Sequence, residues 1–242
     1  MGSPHKIGMI MTTNERSMDP TRDLPRAKEL LPILWHIIDR WHEAETGIKD
    51  WENAVRAVQP EHTGWAGYAE LLQLINTFQW HEEDRSHAYE AGDEILASVK
   101  RSIDASNARR VKTIDALDVH IWQALQTAGL PNPDAPLHSE SPASIVDRIS
   151  ILALKLYHIR EELSTAGGTS AEEVLHERVE GISQQMDDLA LCIDQLFADI
   201  AAGRRRMKLY RQVKVYMDPK TGRYHSGLTD SGPRPTVNGT ES

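Results

Sequence analysis

Charged and amide side chains occur in three helical segments of the sequence, residues 76–85, 100–110 and 144–158, in or beside stripes that otherwise carry leucine and isoleucine. If these segments pack together, their polar side chains meet inside a helical bundle, where ligand and metal sites are built from facing helices. Carboxylates there suit Mg²⁺, lysine and arginine suit phosphate oxygens, and a histidine can act as a base.

These roles divide the polar side chains into two sets. The candidate catalytic residues are Glu83, Asp84, His81, Asp104 and His158. The candidate ligand-binding residues are Asn76, Lys100, Asn107, Arg110, Ser144, Asp147, Arg148 and Lys155. A divalent metal such as Mg²⁺ is compatible with the carboxylates, but the sequence does not define a set of metal ligands.

The alternative is that the charged groups satisfy one another, because charges are rarely buried unless they are paired. The negative members are Glu83, Asp84, Asp104 and Asp147, and the positive members are Lys100, Arg110, Arg148 and Lys155. A phosphate site would be expected to have a surplus of cations, and a two-metal site a surplus of carboxylates. The equal numbers of positive and negative residues weaken both the phosphate-site and the two-metal interpretation. A ligand site and a ligand-free network remain as alternatives.

Other metal motifs are less well supported. The sequence has eleven histidines but no His-x-x-x-His pair, so a zinc-protease-like site is not indicated. Glu173 and His176 have the spacing of di-iron bundles, but a second such pair is missing. Glu90 and Asp93, which would belong to the acidic helices of helical nucleotide pyrophosphatases, lie on either side of Gly92. The single cysteine excludes a Cys-based zinc site and an internal disulfide.

The elements that must position these residues are helices. Apolar residues recur at helical spacing in five long segments, residues 24–47, 66–91, 93–128, 141–163 and 170–200, with a shorter piece at 48–58. Ser141 as N-cap and Pro142 at the first helical position define the start of the fourth segment. The pattern predicts an all-α fold, a helical bundle of about five main helices with long antiparallel helices and a basic C-terminal extension.

The fifth segment carries an uninterrupted heptad seam. Its apolar residues alternate steps of four and three, in the order Leu175, Val179, Ile182, Met186, Leu189, Ile193, Leu196 and Ile200. Such a seam packs at a shallow angle against a neighbouring helix or a second subunit. A homodimer through residues 175–200 is therefore one expectation.

Composition limits the partners and the compartment. The net charge of −9 disfavours nucleic-acid binding, although the basic run at 204–214 is interleaved with tyrosines. No segment approaches the roughly 20 apolar residues that span a bilayer. We expect a cytoplasmic protein with a disordered segment at 1–23, a single helical-bundle domain at 24–218 and a flexible tail at 219–242.

Three stretches resemble a bacterial all-helical family known as domain of unknown function 4254. They are NTFQWHEEDR from Asn76, KRSIDASNARR from Lys100 and SPASIVDRISILALKLYH from Ser141. The second stretch departs from the family pattern at Ala108 and Val111. The C-terminal LYRQVKVYMDP from Leu209 is also similar. The resemblance implies an all-α fold and no particular activity.

Two functional hypotheses follow. In the first, the interior polar site binds or hydrolyses a small phosphorylated or nucleotide-like ligand. In the second, the chain is a non-catalytic helical scaffold that dimerises through the heptad seam.

Overall fold

The computed structural model describes residues 24–87, 92–168, 170–210, 214–218 and 220–227. Six α-helices account for most of them and confirm the all-α helical bundle. The helices are α1 (Ala27–Ala44), α2 (Trp51–Val58), α3 (Gly64–Ser86), α4 (Asp93–Thr127), α5 (Pro142–Thr165) and α6 (Ser170–Ala201). A short 3₁₀ turn, Glu45–Gly47, follows α1.

Local signals in the sequence define several helix ends. The Asp50 side chain accepts a hydrogen bond from the backbone N–H of Asn53 and caps α2. The Ser141 hydroxyl accepts one from the N–H of Ser144, and Pro142 begins α5. Gly129, with φ of +73°, follows α4 in the left-handed conformation that commonly ends a helix.

Helix α3 lies at the centre of the bundle and packs against α1, α4 and α5. Its buried apolar side chains include Leu72, Leu74, Ile75 and Phe78. Helix α2 covers one end of this core, where Ala54 and Val58 join Trp41 and Phe78 in one cluster. The central position of α3 places its polar residues next to two or three other helices.

Most of the heptad seam of α6 packs inside the chain. Leu175, Met186, Ile193, Leu196 and Ile200 are buried, and α6 packs mainly on α5 and to a smaller extent on α1. The other three seam residues, Val179, Ile182 and Leu189, are half-buried. Contacts within the chain therefore account for much of the pattern, and the homodimer through residues 175–200 remains a prediction.

A small β-hairpin follows the helices in the chain. Strand β1 (Lys214–Met217) pairs antiparallel with β2 (Tyr224–Gly227). The chain divides into two compact units, the first ending at Lys208 and the second beginning at Leu209. The sequence pattern did not indicate the strands, and β2 lies inside the segment that we expected to be a flexible tail. Residues 1–23 and 228–242, for which disorder and flexibility were predicted, are outside the described residues.

None of the helices in the described ranges is both long and apolar enough to cross a membrane.

Candidate metal centre

Three histidines from three helices meet at one point of the bundle. His42 is in the last turn of α1, and His81 and His158 are in the last thirds of α3 and α5. One ring nitrogen from each histidine lies within 4.8 Å of the other two. The C-terminal parts of α1, α3 and α5 therefore converge, and the partial negative charge at helix C-termini favours a cation there.

The Nδ1 atom of each ring has an oxygen partner. The pairs are His42 with the carbonyl of Ile38 at 2.8 Å, His81 with Glu45 at 3.3 Å, and His158 with Glu161 at 3.1 Å. Carbonyl and carboxylate oxygens only accept hydrogen bonds, so the neutral rings of His42 and His158 carry their proton on Nδ1, and the contact of His81 with Glu45 favours the same tautomer. The Nε2 atom of each ring is then left with a free lone pair.

These Nε2 atoms are buried and lack a hydrogen-bond partner. Within the described part of the chain this is true of Nε2 in His42, His81 and His158 alike. An unsatisfied buried acceptor costs roughly 1–3 kcal/mol. One ring nitrogen of each histidine lies within 4.8 Å of the others, so three such acceptors are also close together. A bound cation would satisfy all three at once.

Each imidazole is held by an aromatic ring from a neighbouring helix. The stacked pairs are Trp41 on His81 with ring centroids 5.1 Å apart, Trp80 on His158 at 5.2 Å, and Tyr157 on His42 at 4.1 Å. Each aromatic residue directly precedes one of the histidines in the sequence, so three aromatic–histidine dipeptides interlock in a cycle. This arrangement orients the plane of every ring.

Burial favours the neutral form of His81 and His158. Burial, together with the nearby His158 and His42, lowers the pKa of His81 to about 4. Burial also lowers the pKa of His158, although its hydrogen bond to Glu161 acts in the opposite direction. Neutral imidazole is the form that binds a metal, so these rings are ready ligands near neutral pH.

Part of the polar site expected from the sequence forms a separate buried network. Asp147 accepts hydrogen bonds from Arg110, at 2.8 Å from Nε and 2.5 Å from Nη2, and from the Asn76 amide at 3.1 Å. The same amide also donates to Ser150 at 3.0 Å. These side chains join α3, α4 and α5. Their hydrogen-bonding groups satisfy one another, as the ligand-free alternative for this region requires.

The other charged candidates do not join an interior network, and here the structure differs from the expectation. Lys100 and Asp104 form an exposed ion pair on α4. Each follows a buried residue, Val99 or Ile103, by one position, and a step of about 100° turns it out of the core. Glu83, Asp84, Arg148 and Lys155 are also exposed, Asn107 is half-buried, and Ser144 takes part in the cap of α5.

Two of the exposed candidates line a groove between α5 and α6. The groove has a volume of about 390 Å³ and is lined by Arg148, Ile151, Leu152, Lys155, Gln185, Asp188 and Leu189. Arg148 also pairs with Glu140 at 3.0 Å. The lining includes three apolar residues, Ile151, Leu152 and Leu189, and three charged ones, Arg148, Lys155 and Asp188, and the histidine centre is not part of it.

Comparison with known families agrees with the stretches quoted above. A family model described as "Protein of unknown function (DUF4254)" matches residues 67–209, more than half of the 242-residue chain. The chain belongs to this family. No curated protein and no solved structure matches it. The region matched to DUF4254 includes His81 and His158, whereas His42 precedes it.

Sequence reasoning selected two histidines of the centre in this DUF4254 protein, His81 and His158, and missed His42. A signal was present in the repeated aromatic–histidine dipeptide at 41–42, 80–81 and 157–158. The same dipeptide also occurs at Trp35–His36, where His36 is exposed. The dipeptide alone therefore does not identify the ligands without the fold.

Proposed function

We propose that the protein is a metalloprotein that binds one divalent transition-metal ion, zinc or a metal of similar preference, through Nε2 of His42, His81 and His158. The observation that carries the proposal is the contrast between the two nitrogens of each ring. Every Nδ1 has an oxygen partner, while every Nε2 is buried and without one. Metal-binding histidines almost always show this outer hydrogen bond, which fixes the tautomer and the ring orientation.

The spacing of the nitrogens is compatible with an ion after a small contraction. Zinc–nitrogen bonds of about 2.0–2.1 Å in tetrahedral geometry place the ligand nitrogens about 3.4 Å apart. The three ring nitrogens lie within 4.8 Å of one another, so each ring needs to move by about 1 Å or less. Rotation about the side-chain torsions of partly exposed histidines provides such movements.

The chemistry of the ligands selects the class of metal. Imidazole nitrogen suits zinc, copper, nickel and iron, whereas Mg²⁺ and Ca²⁺ prefer oxygen ligands. The Mg²⁺ that the sequence made plausible would have used Glu83, Asp84, Asp104 and Asp147. Three of these carboxylates are exposed, and Asp147 is already held by Arg110 and Asn76. A nitrogen-binding transition metal is therefore the better match.

The test is metal titration of chelator-treated protein, with metal content measured after dialysis. We expect one zinc ion per chain, and a loss of affinity of more than about tenfold in His42→Ala, His81→Ala and His158→Ala. His36→Ala is the matched control, because this exposed histidine also follows a tryptophan in α1. Failure of the intact chain to retain zinc, or an equal loss of affinity in His36→Ala, would contradict the proposal.

The groove between α5 and α6 favours a second candidate function, the binding or hydrolysis of a small phosphorylated or nucleotide-like ligand. Glu140 pairs with Arg148, which makes Lys155 the principal cation offered to a ligand there. Calorimetric titration with inorganic phosphate and adenosine monophosphate tests this candidate. We expect Lys155→Gln to abolish the heat of binding, and no heat from the unmodified protein would remove the candidate.

A further inference from the structure

We infer that the histidine centre is an open, catalytic metal site that hydrolyses an uncharged or cationic ester or amide. The inference rests on the metal site proposed above and adds a coordination position, a reaction and a class of substrate to it.

The number of protein ligands at the centre is the main argument for an open site. Structural zinc sites are closed by four protein ligands, whereas catalytic sites have three and leave the fourth position to water or substrate. Over the described ranges of the chain, the group around this point consists of three histidines without a fourth histidine, cysteine or carboxylate. A four-coordinate ion here must take its last ligand from solvent.

The two carboxylates that contact these histidines are engaged on the Nδ1 side. Glu45 and Glu161 contact Nδ1 of His81 and His158, on the opposite side of each ring from Nε2. A carboxylate cannot hold Nδ1 and reach the ion at Nε2 at the same time, because the imidazole ring lies between the two positions. These two glutamates therefore orient the ligands and leave the fourth position free.

The centre is close enough to the surface for a small substrate. The side chains of His81 and His158 are 20% and 21% exposed, although their Nε2 atoms are shielded. In this proposal a small substrate reaches the fourth position along the exposed edges of these two rings. Shielding strengthens electrostatic interactions with a reacting oxygen.

A buried donor lies beside the centre. The indole N–H of Trp41 is buried without an acceptor among the described residues, and its ring is stacked on His81. Buried donors of this kind are rare and are normally satisfied by water or a ligand. A hydroxide in the fourth position, or the oxyanion formed from a substrate carbonyl, would accept this hydrogen bond. We assign Trp41 as a positioning and stabilising residue.

The proposed reaction is hydrolysis, in which water adds to the carbonyl carbon and the leaving group departs with a proton. An ion held by the three histidines would lower the pKa of a bound water to about 7, so that the water would release a proton to solvent and become hydroxide. The hydroxide oxygen would form a bond to the carbonyl carbon, and the bond from that carbon to the leaving oxygen or nitrogen would break. The leaving group would take up a proton from solvent and depart as an alcohol or amine. The acid is replaced by another water.

The surrounding charges select the substrate. Glu45 lies 3.3 Å from Nδ1 of His81, and Glu161 lies 3.1 Å from Nδ1 of His158. Asp84 and Asp39 are close enough to act electrostatically on the two histidines and on the adjacent Tyr157, respectively. These four carboxylates outnumber the two positive charges of one divalent ion. A phosphate ester would be repelled by this field, whereas an uncharged or cationic carbonyl compound would not.

The test combines spectroscopy of the cobalt-substituted protein with hydrolysis by the zinc form. Acetohydroxamic acid, an uncharged ligand at neutral pH, is titrated into the cobalt protein, and the zinc protein is assayed with 4-nitrophenyl acetate and 4-nitrophenyl phosphate. We expect a saturable shift of the visible cobalt bands with metal content unchanged. Acetate ester hydrolysis should exceed that of His158→Ala by at least about tenfold and exceed phosphate ester hydrolysis.

The outcomes separate the two proposals. Cobalt that binds but shows no spectral shift, with hydrolysis equal to that of His158→Ala, would overturn the open catalytic site and leave the metal site standing. Failure to bind cobalt or zinc would overturn both. Faster cleavage of the phosphate ester would overturn the assigned substrate class. Trp41→Phe should keep the metal and lower kcat by about tenfold with little change in KM, and an unchanged kcat would overturn the role of Trp41.

Discussion

Replacing His81 by phenylalanine separates a metal site from a purely structural histidine cluster. The substitution keeps an aromatic ring to stack on Trp41 and removes both ring nitrogens. Loss of the unsatisfied Nε2 removes a penalty of about 1–3 kcal/mol from the metal-free protein. Loss of the 3.3 Å contact between Nδ1 and the exposed Glu45 costs at most about 1 kcal/mol.

The net expectation is a metal-free variant that is as stable as the unmodified protein or more stable by up to about 3 kcal/mol. At about 3 °C per kcal/mol for a chain of this size, its Tm should be unchanged or rise by up to about 9 °C. Added zinc should raise the Tm of the unmodified protein, because the ion binds only the folded state. Zinc should leave the Tm of His81→Phe unchanged.

The assay is thermal unfolding followed by circular dichroism, once with a chelator and once with excess zinc. His36→Phe is the matched control, since it places the same ring on an exposed face of α1 and should respond to zinc like the unmodified protein. A fall of more than about 3 °C in the Tm of metal-free His81→Phe would refute the reasoning, because it would mean that the imidazole nitrogens stabilise the fold. Retention of the zinc response would refute it as well.

Three further predictions use the same bundle. Asp147→Ala should lower the free energy of unfolding by about 3–5 kcal/mol in urea denaturation, because it leaves Arg110 without its carboxylate; the exposed control Lys100→Ala should change it by less than about 1 kcal/mol. The metal-free protein should lose stability as the pH falls from about 6.5 towards 4. The reason is that the pKa of His81 is about 4 in the folded state, so the unfolded state binds a proton on His81 at a higher pH. Denaturation at a series of pH values checks this, and no loss of stability would contradict the lowered pKa. Glu161→Gln should weaken zinc binding by about tenfold through its contact with Nδ1 of His158, whereas the neighbouring exposed Glu162→Gln should not; equal affinities in a zinc titration would contradict a role for Glu161.

The helices could be predicted from the sequence because their signals are local. The start of α5 at Pro142 follows from Ser141 and Pro142 themselves, and the buried face of α6 follows from the spacing of Leu175 to Ile200. The side-chain environment was harder to predict. Lys100 and Asp104 lie one position from the buried face of α4, and the sequence pattern alone does not distinguish the edge of a stripe from its centre.

The metal centre could not be predicted in full because its ligands have no common local spacing. His42, His81 and His158 are each separated by at least one other helix in the chain, and the packing of α1, α3 and α5 alone brings them together. A single-helix motif such as His-x-x-x-His identifies two ligands at once, whereas here every helix provides one. The aromatic residue that precedes each histidine is the one local sequence feature that the three ligands share. Trp35–His36 has the same feature, so it is not specific to the metal ligands.

The two polar clusters of the bundle differ in a way that indicates their roles. Both are buried or partly buried and both join α5 to α3. The hydrogen bonds of Asp147 are completed by Arg110 and Asn76, which therefore hold the helices in register. Asn76 precedes His81 by five residues on α3, about 7.5 Å along the axis, so this register also sets the position of His81 relative to His158. The three histidines each have a buried Nε2 atom without a hydrogen-bond partner in the described part of the chain. Burial alone does not distinguish a structural cluster from a binding site. The hydrogen bonding of the buried polar atoms does, because it is complete in the Asp147 cluster and incomplete in the histidine cluster.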